Sequence, residues 1–168
     1  MIMVTWFVVA LQFSSIALAI VGGVFLAFSD FLMRSLDRAG PVAGIGAMQA
    51  INRQVIRSVF VSLLMLLAAT SPLMIGYALL SLHGLPLVLT ITGGAIYLLG
   101  AFAVTVVFNI PKNNRLDSGA ADDGDHQAYW RDVYLTRWTA WNHVRTAACL
   151  VAAGCYAAAG IGLVAFPH

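Results

Sequence analysis

Apolar residues run almost unbroken through four stretches of this chain, and polar residues collect in the segments between them. The stretches extend from about Thr5 to Phe28, Ser58 to Leu82, Leu87 to Phe108 and Trp141 to Phe166. Each reaches the roughly 20 residues that an α-helix needs to cross the hydrocarbon core of a bilayer. The pattern predicts four spans in one integral membrane domain covering residues 1–168, an all-α fold: a four-helix transmembrane bundle with helical extensions on one side. No Lys or Arg precedes the first stretch, and its apolar run exceeds the roughly 7–15 residues of a signal core, so it is expected to be a retained helix. Pro72 is expected to kink the second span, His83-Gly84-Leu85-Pro86 to form a tight turn, and Pro167 to end the fourth. Pro111 is expected to stop the third span within Asn109-Ile110-Pro111-Lys112-Asn113-Asn114, a run rich in turn formers.

Composition agrees. The chain is 61% hydrophobic and 10% charged, well under the quarter or so of charged residues usual in a soluble domain. Its nine basic and seven acidic residues all fall between the first and second spans or from the end of the third into the fourth. By the positive-inside rule those two segments are cytoplasmic and both termini lie outside, in a cell inner or plasma membrane. The expected partners are the lipid bilayer and a hydrophobic small molecule. Small residues at four-residue spacing, such as Ala153 and Ala157, are expected to let helices within the bundle approach closely, with a seam to a second copy of the chain as the alternative. No basic face suggests nucleic acid. Cys149 and Cys155, six residues apart on one helix, rise about 9 Å relative to each other, too far for a disulfide.

The charged segments carry the candidate chemistry. Pro41 to Arg57 reads as a helix feeding the second span, with Met48, Ile51 and Val55 on one face and Gln49, Asn52, Arg53 and Arg57 on the other. Asp117 to Asp125 reads as an exposed loop, and a helix resumes from His126. On that helix Tyr134, Trp138, Trp141, Asn142, Arg145, Cys149 and Tyr156 fall within roughly a 100° arc at 100° per residue. Arg145 lies about one turn inside the apolar stretch, where an ionisable group should face other helices and find a partner. One reading is an aromatic belt with a snorkelling arginine. The other is a pocket in which Trp138 and Trp141 stack on a flat ligand while Asn142 and Arg145 bind its oxygens. No two histidines share a helix face, so no metal site or cofactor is expected. Haem would require His126 and His143 to converge.

Gln49-Ala50-Ile51-Asn52-Arg53, Asn109-Ile110-Pro111-Lys112-Asn113 and Trp138-x-x-Trp141-Asn142-x-x-Arg145 resemble the anthrone-oxygenase-like family of small four-helix membrane proteins, over nearly the whole chain. The resemblance implies an oxygenase acting on an activated aromatic CH2, oxidising an anthrone to an anthraquinone without metal or flavin. It would place Arg145, Asn142 and Arg53 at the enolate oxygen, Asp132 or His126 as base, and Trp138, Trp141, Tyr134, Asn52, Asn109 and Asn113 around the substrate. A non-catalytic module that binds a lipid, quinone or haem, or a structural subunit of a membrane complex, uses the same residues without a base. A transporter is disfavoured by the absence of charge at the centre of any span.

Overall fold

The computed structural model describes residues 2–165, with side chains from residue 5 onward. Pro167 and His168, and with them the expected end of the last helix, lie outside the described residues. Among these residues the chain is all-helical, in five helices: α1 (Thr5–Arg38), α2 (Pro41–Val55), α3 (Val59–Ser81), α4 (Gly84–Asp117) and α5 (Gly124–Ala165). All except α2 are long and apolar enough to cross a membrane.

The long helices pack in the order α1–α5–α4–α3 and back to α1. Their apolar core contains Leu11, Leu18, Phe25, Tyr97, Ala152 and Tyr156, whereas Leu73, Leu80 and Val59 stay largely exposed, as lipid-facing residues should. Small residues set the α4–α5 distance. A Cβ added at Gly100 would stand 2.7 Å from the Ala148 Cβ, closer than two carbons tolerate. Gly100→Ala is therefore expected to force α4 and α5 apart and to cost about 1–3 kcal/mol. A lowered unfolding temperature in detergent would show it.

The helix boundaries correct the sequence reading in two places. First, α4 does not stop at Pro111 but continues to Asp117. Wide i→i+5 turns at Leu98–Ala103 and Thr105–Asn109 precede the proline, local adjustments of the kind that let a helix carry one, and Lys112 Nζ donates to the Phe108 carbonyl at 2.7 Å. Second, α2 does not run directly into the second span. The chain breaks after Val55, and Ser58 starts a new helix by accepting the Val61 N–H at 3.3 Å. By contrast, α3 runs through Pro72 without interruption, and the turn after it holds Gly84 at φ +63.

Helix α5, 42 residues long, would extend about 63 Å, roughly twice the hydrocarbon thickness. The excess is used. The charged ends of α1, α4 and α5 project together, and α2 lies across them. They share a second core of Met33, Ile45, Met48, Leu116, Tyr129, Trp130, Tyr134 and Trp138. Gly44 allows this closure, because a Cβ there would meet the Leu36 carbonyl at 2.6 Å.

Candidate functional site

Where the spanning core meets this second core, Arg145 is buried, 5% exposed. Its Nη2 donates to Asn142 Oδ1 at 2.6 Å and its Nη1 to Thr105 Oγ1 at 3.3 Å, while its buried Nε has no acceptor. Aromatic rings flank the guanidinium, Phe25 at 4.2 Å and Trp138 at 5.2 Å from their centroids. Among the described residues no carboxylate pairs with it. Among the described residues the ion pair is Arg34–Asp30, one turn apart on the exposed surface of α1.

Asn142, fully buried, orients the arginine and ties α5 to α1. Its Nδ2 donates to the Phe25 carbonyl at 2.6 Å and to Ser29 Oγ at 2.5 Å, which leaves Oδ1 for Arg145. Phe25 and Ser29 were not singled out from sequence. Ser29 sits at a wide turn, Phe28–Leu32, and Thr105 and Trp138 lie in wide turns on α4 and α5. Three helices thus depart from regular geometry around one arginine, a feature common at functional sites.

A second polar cluster sits directly outside the first. Asn113 Oδ1 accepts from Trp138 Nε1 at 2.7 Å and from the Tyr134 hydroxyl at 2.8 Å. Trp130, Tyr134 and Trp138 stack in series, with centroids 5.4 and 5.7 Å apart. Tyr134 lies on the part of α5 beyond the apolar span, and burial pushes its hydroxyl far above the usual phenol range, so it stays a neutral donor. Asn52 Nδ2 is 3.4 Å from Asp117 Oδ1, and Gln49 caps α4 through the Leu116 and Gly119 carbonyls. Asn109 bridges the clusters. Its Nδ2 donates to the Trp138 carbonyl at 3.3 Å, and its buried Oδ1 lacks a donor.

Thus Arg145, Asn142, Trp138, Asn109, Asn113, Tyr134 and, at the edge, Asn52 gather at one level. Four other candidates stand apart. Trp141 stacks on Phe108, centroids 3.8 Å apart, so the two indoles of the stripe do not face a common space. Arg53 and Asp132 are exposed, and His126 donates to the Leu116 carbonyl at 3.1 Å. No group of three or more metal-ligating side chains occurs among the described residues. Two apolar clefts lie at the uncharged end, one of about 510 Å³ lined by Leu85, Pro86, Leu89 and Ala158 among others, the second beside Trp6 and Tyr77.

Four span-length apolar helices closing around a buried polar cluster at their charged end define a small all-helical membrane protein. The family model of anthrone oxygenase matches residues 52–155, which carry every member of the two clusters except Phe25, Ser29 and Gln49, and the chain belongs to that family. Neither a curated protein nor a solved structure matches it.

Proposed function

We propose that the chain is a membrane-embedded oxygenase for a flat, enolisable polycyclic ketone of the anthrone type, bound at the cytoplasmic mouth of its helices. One observation carries the reading: a buried guanidinium, held by neutral partners and without a carboxylate, keeps a free N–H. Burying such a charge is costly. The cost is offset when an anion forms beside it during turnover. Deprotonating the CH2 of an anthrone gives an aromatic enolate, and Arg145, held in place by Asn142, stabilises its oxygen. The positive charge makes the CH2 more acidic, so the proton passes to water or buffer, which accommodates the distance of Asp132 and His126 from Arg145. The electron-rich carbon reacts with O2 to form a hydroperoxide. Loss of water then leaves the quinone, so that anthrone plus O2 gives anthraquinone plus water. Trp138 and Phe25 provide the flat apolar walls.

The observation that favours a binding module instead is the same absence of a base near Arg145. Membranes containing the protein, supplied with a hydroxylated anthrone, decide between the two. Oxygenase activity consumes one O2 per quinone formed, above the rate in membranes lacking the protein. A rate equal to that background, with ligand retained on the purified protein, leaves only the binding module. An absorption spectrum of the same preparation shows whether haem is bound.

A further inference from the structure

Two cations come together on the flank of the bundle, outside the Arg145 site. Lys112 on α4 and Arg137 on α5 each stand one turn beyond the apolar part of their helix, along the seam where the two helices pack side by side. One turn nearer the membrane, Phe108 and Trp141 stack across the same seam, with centroids 3.8 Å apart and planes 6° from parallel. Lys112 Nζ lies 5.8 Å from the centroid of the Phe108 ring. Two residues from each helix, at four-residue spacing, thus make one patch with charge at its head and aromatic surface below. Among the described residues neither cation has a carboxylate partner, the ion pair there being Arg34–Asp30. An ammonium has three N–H donors, and the Phe108 carbonyl takes one of those on Lys112. Burial, and then the like charge of Arg137, hold the Lys112 pKa below the usual lysine range. An anion placed between two such cations relieves their repulsion. The patch is open to receive one: Arg137 is exposed, as are Val107 beside Phe108 and Val144 three residues past Trp141.

We propose that this seam binds one anionic phospholipid, with Lys112 and Arg137 on its phosphate, Phe108 and Trp141 at the level of its glycerol, and Val107 and Val144 against an acyl chain. Depth and charge favour that occupant over a free anion. The cations stand where headgroups lie, and the apolar surface beneath them continues into the spans. Snorkelling alone would send each long side chain to whichever headgroup is nearest. Here the stacked rings fix the two helices in register, so both charges fall on one headgroup. A zwitterionic headgroup carries its own ammonium beside the phosphate and gains less from the pair. The site is separate from Arg145 and does not depend on the oxygenase reading.

The test titrates the purified protein in detergent with phosphatidylglycerol or phosphatidylcholine of identical acyl chains, and counts bound lipid by native mass spectrometry. Wild type is expected to bind the first phosphatidylglycerol about tenfold more tightly than phosphatidylcholine. Lys112→Gln and Arg137→Gln should each cut that preference about fivefold, and the double variant should remove it. Arg57→Gln, which removes an exposed cation elsewhere at the charged end, should leave it in place. Equal affinity for the two lipids in wild type overturns the proposal. So does a loss in Arg57→Gln as large as in the paired positions, because the charged end would then attract anions without a site. Displacement of the lipid by inorganic phosphate assigns the seam to a free anion and overturns it as well. Should Lys112→Gln not fold, the exposed Arg137 decides alone: a reduced preference in Arg137→Gln supports the site, and an unchanged one overturns it.

Discussion

Arg145→Met should lower anthrone oxidation by about 10²- to 10³-fold, the usual effect of removing one donor to a developing oxyanion. The fold should not suffer in proportion. Replacing a buried charge by an apolar side chain of similar length is often neutral or stabilising, because the desolvation cost disappears with the charge. Among the described residues Arg145 has no acidic partner that the substitution would strand. What it leaves behind is one amide oxygen, Asn142 Oδ1, and one hydroxyl, Thr105 Oγ1, which already donates to the Ala101 carbonyl. The prediction therefore couples two measurements: turnover falls steeply while the unfolding temperature in detergent holds or rises. Activity that survives the substitution would remove the arginine from the chemistry. Activity lost together with the fold would make it a structural residue.

Asn142→Leu should give the opposite division. Its amide satisfies the Phe25 carbonyl and Ser29 on α1 while its oxygen holds Arg145, all at nearly zero exposure. Leucine fills the space but removes the donor to the Phe25 carbonyl and Ser29 and leaves a charged Nη2 without its closest acceptor. A loss of roughly 2–4 kcal/mol is expected, and with it a drop of about 5–15 °C in unfolding temperature. Turnover should fall too, through a misplaced guanidinium. If the variant unfolds like wild type, the α1–α5 tie contributes little to stability.

These two residues were legible because both are side chains with strong helical phase. The 100° arc placed Trp138, Asn142 and Arg145 on one stripe, and the structure sets them around one point. Their partners were less legible for physical reasons. The Phe25 carbonyl is backbone and has no signature in a residue pattern. Thr105 does bond back to its own helix, at the Ala101 carbonyl, as a hydroxyl in a span usually does, yet the same oxygen also accepts from Arg145. Trp141, about 60° from Trp138 at three residues' separation, lies near the limit of the arc, and Phe108 claims its face. The four spans were visible from apolar length alone, whereas the continuation through Pro111 was not. Local turn chemistry argued for a stop, whereas the wide turn before the proline lies where α4 packs against α5, a tertiary contact that no local pattern displays.

The bond between Asn142 and α1 also has a meaning for biogenesis. A ribosome delivers Phe25 and Ser29 to the membrane more than a hundred residues before Asn142 and Arg145. Until α5 arrives, three spans can settle with their charged residues gathered at one end. The final helix then has to bring an unpaired guanidinium in beside them, and the first helix offers the receptor for the amide that steadies it. Assembly of the site thus waits for α5. A chain cut short before α5 would leave α1, α3 and α4 without Asn142 and Arg145, and so without the cluster itself.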